Sequence, residues 1–135
     1  MLLSGRGIEH IYQVLCQYSS VSAKPYRADQ ISHLACAREC NICEQALARF
    51  CNILGSFAGN LALITGSFGG VYIAGGIVPK ILPYFAESDF RQRFIAKAPF
   101  QDYLANIPTY VITELQPGLL GASIYLHQSR RAKAS

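Results

Sequence analysis

The sequence predicts an α/β fold in which a few parallel strands pack with several helices. Three observations predict it. Residues 71–74 and 109–113 are short runs rich in β-branched and aromatic side chains, the composition of strands. Segments with helical periodicity lie before, between and after them, so the two strands are joined by a crossover, as parallel pairing requires. Residues 51–79 contain no charged side chain and no histidine. A segment that is apolar all round has no wet face to offer and must be buried.

Each element follows from a local pattern. Residues 4–18 place Ile8, Ile11, Tyr12, Leu15 and Cys16 on one face at steps of three and four, and Ser4 or Gly5 can start that helix. Residues 19–26 carry a Ser-Ser pair and Lys24-Pro25 without a period, which predicts a loop. Asp29 is the expected cap of a short helix through Gln30, Ile31, His33 and Leu34. From Ala35 onward Cys36, Cys40, Cys43, Leu47, Phe50 and Leu54 recur at helical spacing and predict one long helix, wet along Arg38, Glu39, Glu44, Gln45 and Arg49. Gly66-Ser67-Phe68-Gly69-Gly70 ends it, and Gly75-Gly76 closes the strand that follows. Residues 77–86 read as a helix with Pro79 in its first turn, where a missing N–H does no harm. Ser88 is expected to cap a helix through Phe90, Arg91, Phe94 and Ile95, and Pro99-Phe100 to begin another. Pro108 leads into the second strand, Gln116-Pro117-Gly118 turns the chain, and residues 119–128 form the last helix.

Composition narrows the function classes. At 135 residues the chain has the size of one domain. Net charge is +4, but the basic residues are scattered and only Arg130, Arg131 and Lys133 cluster, at a terminus, so a solvated end is expected and no nucleic-acid partner. Five cysteines, an odd number, with no secretory leader pattern at Met1-Leu2-Leu3, fit a reducing cytoplasm. His33, Cys36, Cys40 and Cys43 have ligand-like types. However, Cys40-x-x-Cys43 is half of a zinc pattern without its second half, and three of these thiols share the apolar stripe with Leu47 and Phe50. Core packing is their expected role, and no metal ligand is assigned. Residues 51–79 are also long enough to span a bilayer, and Gly55 and Gly59 form a GxxxG packing motif. Seven glycines plus Asn52, Ser56, Asn60, Thr65 and Ser67 interrupt that run, so a buried helix, turn and strand are expected, with no membrane partner.

The strongest local constellation is Gly69-Gly70-Val71-Tyr72-Ile73-Ala74-Gly75-Gly76-Ile77-Val78-Pro79-Lys80, a strand that ends in two glycines and feeds into a helix. In open α/β sheets ligands gather beyond the carboxyl ends of strands. Glycine there lets the backbone lie against a flat base or a sugar, and the next helix start adds unpaired N–H groups. A tight strand-to-helix turn without a ligand has the same local sequence.

The order of motifs adds to this. Leu3-Ser4-Gly5-x-Gly7, Gly59-Asn60-Leu61-Ala62-Leu63, the paired-glycine segment, Phe90-Arg91-x-x-Phe94, Tyr103-Leu104, Ile107-Pro108-Thr109-Tyr110-Val111-Ile112 and Pro117-Gly118-Leu119-Leu120-Gly121-Ala122 follow one another along essentially the whole chain. In this order the sequence resembles the bacterial-type glucokinase family, specifically its C-terminal part. Ser67 stands where threonine is expected, and Lys80 where arginine is expected.

The resemblance implies a part of the actin-like ATPase, ribonuclease H-like large domain of the sugar kinase, actin and Hsp70-like superfamily. The fragment comprises residues 1–135, with a helical segment 1–65 and an adenosine-side α/β segment 66–135. It implies ATP as cofactor, Mg bound mainly by a missing N-terminal part, and glucose as substrate of the intact enzyme. Gly75 and Gly76 would contact the adenosine, with Gly118 nearby. It further implies a cytoplasmic homodimer and a possible N-terminal half acting in trans. The family's phosphate loop, catalytic aspartate and sugar-binding Glu and His lie upstream, so no catalytic residue is assigned here. Asp29, Asp89 and Asp102 are not next to glycine and suit helix starts. Glu114, at a strand end, is the one acid not assigned to such a role, and His10 and His127 stand alone on predicted helices. The alternative reading is a nucleotide-binding or interaction remnant without catalysis.

Overall fold

The computed structural model describes residues 2–114 and 116–133. In chain order the elements are α1 (Gly5–Tyr18), α2 (Ala28–Cys36), α3 (Asn41–Thr65), β1 (Val71–Ile73), a 3₁₀ turn (Val78–Ile81), α4 (Leu82–Glu87), α5 (Phe90–Ile95), α6 (Gln101–Ala105), β2 (Thr109–Val111) and α7 (Pro117–Lys133). The architecture is α/β and mostly helical. Its sheet is the parallel pair β1–β2, with Val71 opposite Thr109, Tyr72 opposite Tyr110 and Ile73 opposite Val111.

α3 is the centre of the core. It packs against α1, α2 and α5, and it buries Cys43, Ala46, Leu47, Phe50, Cys51, Gly55, Ala58, Gly59 and Ala62. Two of its glycines are required by contact. A Cβ at Gly55 would lie 2.3 Å from the carbonyl oxygen of Phe90, and one at Gly59 would lie 2.2 Å from that of Phe94. The α5 backbone therefore rests on the α3 backbone, and the rings of Phe90 and Phe94 fill the space around the contact. α3 is also long and apolar enough, by length and composition, to cross a membrane. In this fold its small-residue face receives α5.

The helix starts and stops show where local chemistry decided the path. Ser4 caps α1, its Oγ accepting from the Gly7 N–H at 3.1 Å. α2 is not capped by Asp29, which sits in its first turn; Arg27 is the capping position. There the Gln30 side chain accepts from the Arg27 N–H at 3.0 Å, and Glu9 of α1 accepts from the Ala28 N–H at 3.0 Å. The single helix expected from Ala35 onward is two helices. Arg38 takes a left-handed conformation at φ 57°, the Arg38 N–H donates to Ala35 O, and the Glu39 N–H donates to Leu34 O. This pair of bonds closes α2 as a Schellman motif with arginine in the place glycine usually holds. Cys40 then caps α3, its Sγ accepting from the Cys43 N–H at 3.3 Å. Cys36 consequently leaves the apolar stripe and is exposed.

The crossover differs from expectation in detail. Residues 78–87 form the 3₁₀ turn followed by α4 rather than one helix. The Ser88 hydroxyl donates to Phe85 O at 2.6 Å and lies 3.4 Å from the Phe90 N–H. α7 begins at Pro117, earlier than expected, and runs to Lys133, so the basic cluster lies on a helix rather than a tail. The side chains of Arg130, Arg131 and Lys133 lie outside the described ones.

Candidate functional site

β1 ends at a corner made of glycine. Gly75 has φ 126°, a conformation L side chains rarely adopt, and a Cβ built at Gly75 or Gly76 would meet nothing within 4 Å. Both are exposed, so the backbone at the strand's exit is bare. Gly70, at the strand's entry, is glycine for a different reason. Its φ is 120°, and a Cβ there would lie 2.9 Å from the Tyr110 ring.

In front of the corner lies a cleft of about 600 Å³. Gly76, Ile77 and Lys80 form one wall, Arg27, Ser32, His33 and Cys36 of the α2 region form the second, and Gly5, Arg6 and Glu9 of α1 the third. Each wall is anchored from behind. Val78 and Ile81 bury the 3₁₀ turn, which leaves Lys80 exposed at the rim. Ile8 and Ile31, both fully buried, hold α1 and α2 together, and the Glu9 to Ala28 hydrogen bond fixes the start of α2 against α1. Gly7 lets the incoming chain cross α1, since a Cβ there would lie 1.9 Å from Leu2 O.

The cleft carries Arg6, Arg27 and Lys80 against Glu9 and Asp29, and Glu9 is already engaged at the helix start. The free side chains therefore favour an anionic or electron-rich ligand. Its size lies within the usual range for small-molecule sites. The α1 and α2 walls lie 18 residues apart and the glycine wall a further 40 along the chain, and no single motif announces them. The sequence points to the glycine wall with Lys80, whereas Arg27, Ser32 and His33 are brought to it by the packing of α1 and α2 on α3.

Of the three expected contacts only Gly76 lines the cleft; Gly75 precedes it at the strand's exit without lining it, and Gly118 stands exposed in the first turn of α7, also outside the lining. His10 and His127 are exposed on α1 and α7. Asp102 lies in the first turn of α6 and Asp89 at the start of α5. Glu114 is exposed and accepts from the Gln116 N–H at 3.1 Å, a local turn contact.

Among the described residues no three of His, Cys, Asp and Glu gather to hold a metal ion. Two of the thiols are buried groups held protonated. Burial, followed by its contact with Cys40, pushes Cys43 up to about 12, and burial pushes Cys51 up to about 11. Cys36, although exposed, is raised by partial desolvation. Thiols shifted in this direction are poor nucleophiles at neutral pH.

The chain as a whole is similar to known proteins. A sequence profile of the family described as Glucokinase matches residues 1–129. The chain is similar to a glucokinase of Colwellia psychrerythraea, at 54% identity over 132 residues, covering 94% of the chain and 40% of that protein. It is similar to a glucokinase of Psychromonas ingrahamii at 51% identity over 128 residues, covering 95% of the chain and 40% of that protein. Among solved structures, a glucokinase from an Antarctic psychrotroph matches with a TM-score of 0.82 at 40% identity, covering 93% of the chain and 39% of its own. The chain thus spans about 40% of the length of the curated relatives it matches.

Proposed function

The chain belongs to the glucokinase family, and from that premise we propose that it forms the adenosine side of the ATP site in an ATP-dependent glucose kinase. In the whole enzyme the γ-phosphoryl group of ATP passes to the 6-hydroxyl of glucose. The observation that carries the reading is the bare glycine corner at the exit of β1, opening on the cleft between the 3₁₀ turn, α1 and α2. A purine nucleoside needs backbone approach on one side and a partly apolar wall on the other. Gly76 supplies the first, freed by the positive-φ turn at Gly75 just before it, and Ile77 the second. Lys80, Arg27 and His33 stand where they can stack on the base or meet the negative charge of a nucleotide, and Ser32 can hydrogen-bond a base edge. Gly118 belongs to the same reading as a contact made once α7 is held against the sheet.

Phosphoryl transfer also requires a phosphate loop, carboxylates that hold Mg²⁺ and a group that positions the attacking hydroxyl. We assign these to the part of the kinase that this chain does not span, because the described acids serve helix starts and turns. Mg²⁺, held by that other part, would supply charge neutralisation to the phosphates. The chain's own share is to hold and orient the nucleoside. In this division residues 66–135 carry the adenosine corner, and residues 1–65 supply the core behind it and, through α1 and α2, two walls of the cleft. The cytoplasmic location and the homodimer belong to the same proposal for the intact enzyme.

A ligand that binds only the folded state stabilises it. ADP at millimolar concentration should raise the melting temperature of the chain, and glucose should not. Gly76→Val, which meets open space, should leave the unliganded melting temperature nearly unchanged and abolish the ADP response. An ADP response that is absent, or equal in the Gly76→Val variant, defeats the assignment. The chain alone should show no glucose-dependent consumption of ATP in a coupled assay.

A further inference from the structure

We propose that Cys40 and Cys43 form a redox-active dithiol at the start of α3, which closes to a disulfide by exchange with a low-molecular-weight disulfide such as oxidised glutathione. Cys40 is the attacking sulfur and Cys43 the resolving one. The proposal does not depend on the nucleoside reading.

Three observations on one turn of chain carry it. Cys40 is the capping residue of a 25-residue helix, and Cys43 lies in the first turn of that helix. The Cys43 N–H donates to Cys40 Sγ at 3.3 Å. The two thiol side chains are also in contact with each other. A Cys-x-x-Cys pair set across a helix start is the arrangement in which thiols take up and give up electrons. Capping alone does not call for sulfur at position 40, because serine, aspartate or asparagine caps a helix more strongly.

The surroundings divide the roles. Cys40 is half-buried, within reach of a small reagent, and negative charge on its sulfur meets the Cys43 N–H and the positive end of α3. Cys43 is fully buried, and burial, followed by the contact with Cys40, pushes it up to about 12. Cys43 therefore stays protonated at neutral pH and cannot open the reaction, yet it stands against the sulfur it must attack. Cys16 is fully buried as well, so no outside reagent reaches it. Cys36 is exposed but sits on α2, beyond the left-handed break at Arg38.

The exchange balances. The Cys40 thiolate attacks one sulfur of the small disulfide, forms a mixed disulfide and releases one small thiolate, which takes up the proton that Cys40 gave up. Cys43 then attacks Cys40 Sγ, the second small thiol leaves with the Cys43 proton, and the Cys40–Cys43 bond remains. The protein loses two hydrogens and the small disulfide gains both. In a reducing compartment the pair rests as thiols and closes as the disulfide pool rises.

The test treats the reduced, folded chain with oxidised glutathione, blocks the remaining thiols by alkylation and digests with trypsin. Cleavage after Arg38 and Arg49 yields residues 39–49, which hold Cys40 and Cys43 and no other cysteine. That peptide is expected to lose two hydrogens, to escape alkylation and to recover both thiols after dithiothreitol. Cys43→Ala should halt the reaction at Cys40 as the glutathione mixed disulfide, formed about tenfold faster than the one at Cys36. Exposure alone predicts the opposite order. Cys40→Ser should leave Cys43 unmodified. If Cys43→Ala does not fold, the peptide from the unmodified chain decides. Alkylation of both thiols in residues 39–49 while Cys36 has reacted, a cross-link between Cys16 and Cys43, or a disulfide that forms only in urea would each overturn the proposal.

Discussion

The helical body around α3 and the sheet with α7 differ in how far each satisfies itself. In the body Cys43, Leu47, Cys51, Ala62 and Phe94 are fully buried. In the sheet and α7, Tyr72 is 63% exposed, Leu119 67% and Tyr125 73%. The difference is one of backbone contact rather than of hydrophobicity. Gly55 and Gly59 let α5 touch α3 directly, so Phe90 and Phe94 are buried against it, whereas among the described residues no second layer covers the outer face of the tyrosines. The body is a finished core. The sheet keeps an exposed aromatic face, and the proposed nucleoside cleft lies along the join between the two.

The largest expected effect breaks the finished half. Gly59→Val drives a branched side chain into the Phe94 carbonyl, 2.2 Å from where its Cβ would stand, and α5 must lift from α3. The cost combines overpacking with the loss of the buried Phe90 and Phe94 contacts, about 4 kcal/mol or more. This is enough to leave a domain of this size largely unfolded. Urea unfolding followed by circular dichroism would measure it, and a loss under 1 kcal/mol would mean that the seam is not what closes the core. The matched change in the other region, Tyr72→Ala, should cost less than 1 kcal/mol in the same assay.

Alkaline pH probes the same contrast through ionisation. Burial raises Cys51 from 9.0 to about 11 and Cys43 from 9.0 to about 12. These thiols are neutral when protonated, so the unfolded chain loses its protons first. The stabilisation is whole below pH 9 and is lost as pH rises through 11 and beyond. For Cys51 alone a rise of this size corresponds to roughly 2–3 kcal/mol. Melting temperature under reducing conditions should fall steeply between pH 9 and 11. Cys51→Ala should flatten that fall, and an unchanged slope would contradict the burial of this thiol.

Arg91 sharpens the comparison, because it ties the two regions together. Its guanidinium donates to Ile107 O at 2.8 Å, to Ala105 O at 2.7 Å and to Leu104 O at 3.3 Å, and it lies 4.9 Å from the centre of the Phe94 ring. It therefore caps α6 and holds the entry to β2 while standing on the core. Arg91→Ala should cost about 2 kcal/mol, and Arg91→Lys nearly as much, since one ammonium cannot span three carbonyls. Equal stability of the Lys variant and the parent would reduce the clamp to a simple charge.

What could be read from the sequence divides along the same line. The strands, the Ser4 cap and the glycine corner depend on neighbours in the chain, and the patterns of residues 4–18, 71–76 and 109–111 carry them; the parallel pairing follows from the helices that lie between the two strands. The cleft does not, because Arg27, His33 and Lys80 converge only after α1 and α2 have packed. The break between α2 and α3 escaped a reading based on periodicity. Cys36, Cys40 and Cys43 keep helical spacing across it, the left-handed residue is Arg38 instead of glycine, and the cap is a thiol where serine or asparagine is the usual signal. Gly55 and Gly59 showed a packing motif without showing what packs, because α5 lies more than thirty residues further along the chain.

That hidden break gives the smallest effect and the most specific one. Arg38 holds φ 57° in the Schellman end of α2, where a Cβ is disfavoured and glycine is not. Arg38→Gly relieves that strain. It also gives up an ion pair with Glu87 at 4.0 Å, whose side chains are 75% and 80% exposed and which contributes little. Against the gain stands the greater freedom of glycine in the unfolded chain. The balance is a stabilisation of up to about 1 kcal/mol, or a few degrees in melting temperature. Arg38→Ala keeps the strain and loses the same ion pair, so the difference between the two variants isolates the backbone term. Equal melting temperatures for Gly and Ala would show that α2 does not end in a left-handed residue, and the continuous helix from Ala35 would return as the better description.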